Sequence, residues 1–336
     1  MRIPRLVALL LITLVASATT SEEVDVTCPV CANEFRAEAW MSTNSVGGQD
    51  RDFLEHAAGG QVFLFSCWTC PKCCYTGSST DFDEEEMPKD LIAKLKAKNP
   101  LKAAQPIDPK TKHTGEIPSW IRWDLNAQVV ALDPEVKPAQ LAFAYLRTAQ
   151  TQRFEWESLG KVADFDARAE KLWNRVKAEL PEGNGRDTTV AAARAYEKLA
   201  ADGGSDLTAA DRPLARVLAA QLFKSRGEDL EAARVLDGLK DVKLTPALQG
   251  VVKDIRTRIA REKEYIARAI PLLEAHLKTL EPAKAVSIHY LAGVCLRKVG
   301  ENEKSLAHLQ PLLENKEIPP GFREWIAEEA AKAKGS

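Results

Sequence analysis

From about Ala139 to the C-terminus, apolar residues recur at three- and four-residue spacing almost without interruption. That is the period of helices with one buried face. Phe165, Ala169, Leu172, Trp173, Val176 and Leu180 form one such stripe. Leu248, Val251, Val252, Ile255 and Ile259 form a second, and Ile266, Ala269, Ile270, Leu273 and Leu277 a third. The first 80 residues read differently. Asn33 to Met41 can form an extended arm carrying Phe35 and Trp40, and Gln61 to Trp68 contains the β-rich run Val62-Phe63-Leu64-Phe65. Between these regions lie an acidic run from Asp81 to Glu86, a short candidate helix from Pro88 to Lys98, and Pro100, Pro106, Pro109 and Pro118. Such a stretch reads as a linker or surface strap. The pattern predicts a small β domain over 19–80, a linker over 81–138, and an all-α domain over 139–336.

Two fragments of the helical region match one another. Leu218, Ala219, Phe223, Gly227, Ala232 and Leu236 stand at tetratricopeptide-like spacing, and Ala292, Gly293, Leu296, Gly300, Ser305 and Leu309 repeat the arrangement. Each places a small residue where helices touch, a glycine at the turn, and a small residue in the second helix. The helices from Pro246 to Leu280 are expected to fill the intervening repeat, with a degenerate turn near Glu264. Stacked pairs of this kind bury a continuous core and leave a concave face for a partner; an irregular helical bundle is the other arrangement the stripes permit.

Cysteine supplies the candidate chemistry. Cys28, Cys31, Cys67, Cys70, Cys73 and Cys74 crowd into the β domain, while Cys295 lies alone within a helical stripe and reads as a buried thiol. Cys28-Pro29-Val30-Cys31 and Cys70-Pro71-Lys72-Cys73 are both Cys-Pro-x-Cys knuckles. Two residues between cysteines let both sulfurs converge on one ion, and two such turns complete a tetrahedral shell, for which Zn2+ is the default occupant. The reading is a zinc ribbon with Cys28, Cys31, Cys70 and Cys73 as ligands. Other arrangements remain open: a register using Cys67 with Cys70, a disulfide framework, a Cys67–Cys74 bridge beside the metal, or a rubredoxin-like iron site or thiol-redox site. No serine or cysteine nucleophile motif and no glycine-rich phosphate loop accompanies His276, His289 and His308. His289, beside Tyr290, reads as a helix-packing residue. Trp120 and Trp123 are expected to cap the helical stack or to meet a ligand.

The knuckles, with their neighbours, resemble a bacterial family known as domain of unknown function 2225. Thr27-Cys28-Pro29-Val30-Cys31 with Phe35, then Asp52-Phe53, then Cys70-Pro71-Lys72-Cys73-Cys74-Tyr75 follow that family's order. The resemblance is specific over residues 27 to about 82 and architectural beyond. It implies zinc at the four knuckle cysteines and tetratricopeptide-like helices after them, and carries no activity. Cys74 stands where the family usually has glycine, a position that often needs positive φ.

Charge adds little toward a nucleic-acid partner: the formal net is -2, although residues 19–90 hold 14 acidic against four basic side chains. At the N-terminus, Arg2 and Arg5 precede an apolar run from Leu6 to Ala16 and the small residues Ala16, Ser17 and Ala18, the pattern of a cleaved secretory signal over residues 1–18. About 11 apolar residues are too few to span a bilayer as a helix. The expectation is therefore a non-enzymatic, exported zinc-binding scaffold or adaptor, periplasmic or secreted, whose helical repeats bind a protein or peptide. Its rival is a thiol-redox or electron-transfer protein.

Overall fold

The structure, a computed structural model, describes residues 19–58, 60–83, 86, 88–183, 185–202 and 207–335. The expected secretory signal lies outside them, as do Glu84 and Glu85 of the acidic run. In chain order the elements are β1 (Thr20–Thr27), β2 (Glu34–Ser42), a single helical turn α1 (Val62–Phe65), β3 (Trp68–Thr69), β4 (Thr76–Gly77), α2 (Lys89–Ala97), α3 (Ser119–Ala131), α4 (Pro138–Thr151), α5 (Phe165–Val176) and α6 (Arg186–Asp202). Then follow α7 (Asp211–Ser225), α8 (Asp229–Asp237), α9 (Pro246–Leu277), α10 (Pro282–Val299), α11 (Asn302–Glu314) and α12 (Pro320–Gly335). Small antiparallel β-hairpins thus precede packed α-helices of the helical-repeat kind. No helix among the described residues is long and apolar enough to cross a membrane.

The chain forms two compact units that are not linear in sequence. One takes in residues 44–59 and 152–261; the other comprises 19–43, 60–151 and 262–336.

In the second unit, β1 and β2 pair antiparallel with Val26 opposite Phe35 and Val24 opposite Ala37. This puts Val26, Phe35 and Ala37 on one buried face, where they join Trp68, Tyr75, Ile92, Leu95 and Val129. The β-rich run Val62–Phe65 is helical, a correction to the expected strand. Propensity for strand is context-dependent, and the run contributes a carbonyl to a helix: Trp123 Nε1 donates to Phe63 O at 2.9 Å. The region read as a linker also contains α3. Its Trp120, Ile121 and Leu125 are buried together with Ile117, so Trp120 is a core residue.

The first unit has its own core, in which Phe165, Ala169, Leu172 and Val176 of α5 meet Tyr196, Leu218, Phe223, Leu236, Val251 and Ile255. The three stripes read from sequence are helical, except that Leu180 of the first lies past the end of α5 in extended backbone. The second and third, however, belong to one unbroken 32-residue helix, α9, so the expected turn near Glu264 does not exist.

The two matching fragments are helical hairpins built on one plan. Gly227 (φ 66°) and Gly300 (φ 91°) end α7 and α10 in the left-handed region, where glycine escapes the Cβ penalty. Gly227 N donates to Lys224 O and Gly300 N to Arg297 O; the next amides, Glu228 N and Glu301 N, reach back to Phe223 O and Leu296 O. Helix contact is then achieved in two ways. In the first hairpin, Ala220 and Ala232 are fully buried. In the second, the position matching Ala220 is Gly293, where an added Cβ would sit 2.7 Å from Leu309 side-chain carbons. Ser305, matching Ala232, donates from Oγ to Gly293 O at 2.7 Å.

Candidate metal centre

Each Cys-Pro-x-Cys knuckle is the turn of a β-hairpin: Cys28 to Asn33 joins β1 to β2, and Cys70 to Tyr75 joins β3 to β4. The turns close identically. Cys28 N donates to Asn33 O and Ala32 N to Cys28 O, both at 2.9 Å; Cys70 N donates to Tyr75 O at 2.8 Å and Cys74 N to Cys70 O at 2.9 Å. The residue after the second cysteine is left-handed in both, Ala32 at φ 55° and Cys74 at φ 63°. Cys74 therefore occupies the positive-φ position expected from its place in the motif, at a backbone cost that glycine would avoid.

The two turns bring the Sγ atoms of Cys28, Cys31, Cys70 and Cys73 within 4.8 Å of one another. Cys28 Sγ lies 3.5 Å from Cys73 Sγ, and Cys31 Sγ 3.6 Å from Cys70 Sγ. A tetrahedral ion with bonds of about 2.3 Å requires sulfurs roughly 3.8 Å apart, so the four-sulfur cluster has ligand-like geometry and can hold a metal. Cys67 and Cys74 are free thiols and make no bridge to one another. Cys67 stays outside the cluster; its thiol is pushed up to about 12 by burial, although Arg122 Nη1, 2.8 Å from Cys67 O, lies close by. Burial also raises the Cys74 thiol.

Within the cluster, protons distribute unevenly. Hydrogen bonds from the thiols of Cys28 and Cys73, together with the backbone N–H groups of Cys73 and Lys72, hold Cys70 well below the ordinary thiol range. Cys28 and Cys73 are raised in exchange, each chiefly by the thiol hydrogen bonds that it makes. Apolar packing fixes the turns: Phe82 lies 5.8 Å from Phe35, 6.0 Å from Trp68 and 5.1 Å from Tyr75, ring centre to ring centre. Asn99 Nδ2 donates to Cys73 O at 2.6 Å, and Trp68 Nε1 to Glu38 O at 3.0 Å.

Asp52-Phe53, the third element of the family motif, lies in the other unit. There Asp50, Asp52 and His56 form a buried network with Arg153 and Arg226, which stand in turns just past helix ends. Arg153 Nη1 lies 2.7 Å from Asp50 Oδ2 and 3.0 Å from Asp52 Oδ1, and its Nη2 donates to Asp52 Oδ2. His56 Nε2 lies 2.8 Å from the same Asp50 oxygen, which makes it the donor to that carboxylate. Arg226 Nη1 is 3.7 Å from Asp50 Oδ1 and donates to Gly47 O at 3.1 Å. Burial pushes the Asp50 carboxyl up, but His56 and Arg153 outweigh it and leave the group below its usual range. Sequence reasoning saw Asp52 only as part of the motif. Its partner stands 101 positions away, and no local spacing signals such a pair. His289 and His308, on α10 and α11, are brought together, while His276 Nδ1 lies 3.3 Å from Thr279 Oγ1 near its own helix end.

Fold and site together define a helical-repeat protein with a ribbon-type four-cysteine cluster at its head. The chain belongs to the family described as an uncharacterized protein conserved in bacteria, domain of unknown function 2225, whose model matches residues 22–256. No curated protein and no solved structure matches it.

Proposed function

We propose that this chain is an exported, non-enzymatic scaffold: a structural Zn2+ held by Cys28, Cys31, Cys70 and Cys73 fixes the head, and the helical repeats bind a protein or peptide partner. The observation that carries the reading is the convergence of four sulfurs from two identically closed turns. A zinc held there has all four positions filled by protein, leaves none for water, and serves to stabilise the fold rather than to perform catalysis. The thiol-redox alternative is disfavoured by local structure: Ala32 and Cys74 lead directly into extended chain, so neither knuckle sits at a helix N-terminus that would activate a thiolate. The linked export proposal rests on Arg2, Arg5 and the short apolar run that follows.

The test is to titrate the mature protein, isolated from its exported location, with a thiol-specific mercurial while following released metal. Release of one zinc as four thiols react is expected. Release of iron with a reversible potential, or no metal and few reactive thiols, would overturn the zinc assignment. For the partner, cross-linking in the envelope from photoreactive residues placed on the helices should trap a discrete protein. Absence of any adduct across several helix positions would count against the scaffold.

A further inference from the structure

Outside the four-cysteine cluster, the second unit contains another pair of metal-ligating groups. His289 on α10 and His308 on α11 face one another with Nδ1 atoms 3.0 Å apart and ring centres 5.2 Å apart. Both rings are half-buried. Burial holds both below the ordinary imidazole range, so they are neutral at pH 7, the form that binds metals. For His308 the Glu274 carboxylate on α9 acts in the opposite sense, adding a negative charge from a third helix.

We propose that His289 and His308 form a second metal site, for a first-row transition ion of the class that imidazole suits, Ni2+, Cu2+ or Zn2+. The two ring nitrogens already lie 3.0 Å apart on neighbouring helices, so both can reach one ion once the rings turn their lone pairs toward it. Among these ions the Irving–Williams order places Cu2+ first.

In the metal-free pair, one ring donates its Nδ1–H to the other Nδ1. On binding, that ring carries its proton on Nε2 instead, a tautomer change with no net proton release. Both rings turn so that their lone pairs converge on the ion rather than on each other. Water fills the remaining positions, and Glu274 balances the charge.

Ni2+ is the probe, because it leaves the thiol chemistry of the ribbon less disturbed than Cu2+. Tag-free, zinc-loaded full-length mature protein is dialysed to equilibrium against Ni2+, and both metals are quantified. One Ni2+ per chain with zinc retained is expected. His289→Gln and His308→Gln keep a hydrogen-bonding side chain without an imidazole, and each should weaken Ni2+ binding at least about tenfold, since even outer-shell losses cost about 10–100-fold. Far-UV circular dichroism of each variant should match the parent, and His276→Gln should bind Ni2+ unchanged. No Ni2+ beyond the zinc, undiminished binding in both pair variants, or loss in His276→Gln would each overturn the proposal.

Discussion

The four-cysteine cluster and the Asp50–Asp52–His56–Arg153 network do the same mechanical job by different chemistry. Each fastens irregular chain that has few aliphatic side chains of its own. The cluster draws two six-residue turns together through four sulfurs. The network pins the 44–58 segment to the turns at Arg153 and Arg226 through charges that are largely buried. On the proposed zinc reading the first fastening is conditional: it needs the metal, deprotonated thiols and their reduced state. The second needs no added ion, because Asp50 and Asp52 meet Arg153 and Arg226 within the protein, although Asp50 Oδ1 makes no hydrogen bond. Buried ion pairs of this kind add little net stability compared with apolar packing, yet they are severely damaged when one partner is removed. Conditional and unconditional clamps therefore fail under different treatments.

The largest effect separates them directly. Chelation, or Cys73→Ser, should remove stabilisation on the order of 10 kcal/mol from the ribbon and unfold it. Hydrogen exchange should show the loss confined to amides around residues 26–37 and 68–77, with the Asp50–Arg153 region still protected. Equal loss in both regions would end the distinction. Next in size, Arg153→Ala leaves Asp50 and Asp52 buried without their guanidinium and should cost about 3–5 kcal/mol, read as a lower urea midpoint. Metal content should stay unchanged.

Acidity sharpens the contrast within the network. Burial is the main reason that the His56 imidazole lies below its usual 6.5, against the upward pull of Asp50. Between that lowered value and 6.5 the unfolded chain binds more protons than the folded one, so stability falls as pH drops through this window. A urea midpoint that declines there in the parent should flatten in His56→Gln. The smallest effect concerns the turns. Ala32 is exposed and left-handed, a conformation costing roughly 1–2 kcal/mol for an L-residue. Glycine returns about 0.5–1 kcal/mol of that as unfolded-state entropy. Ala32→Gly should therefore stabilise the zinc-loaded protein by about 0.5 kcal/mol, visible as a higher midpoint. Cys74→Gly should gain less, because the Cys74 side chain packs beside the Ile117 cluster.

What the sequence made legible was local. Cys-Pro-x-Cys spacing contains its own geometry, and the glycines at 227 and 300 announce left-handed turns because few other residues tolerate them. The helical stripes were visible because burial repeats every turn. Val62–Phe65 misled because β-branched and aromatic residues favour strands only where a pleated surface receives them. The helix around Trp120 was hidden by the prolines before it, although Ile121, Leu125 and Val129 already share a face. The break expected near Glu264 came from imposing a repeat length on α9, whose apolar stripes run on through it. Least visible of all were the pairings between distant positions, Asp52 with Arg153 and His289 with His308, which only the folded chain reveals.

The segment 44–58 has a further consequence, in time rather than in space. Asp50 leaves the ribosome 176 residues before Arg226, whose guanidinium lies beside it in the finished fold. At roughly 5–20 residues per second, that is a wait of about 9–35 s with an acidic segment unmatched. Arg153 arrives earlier, but the core of its unit runs on to Ile255. The unit therefore closes only after about 200 residues beyond Asp50 have been made, and until then its acidic segment has only part of its final setting.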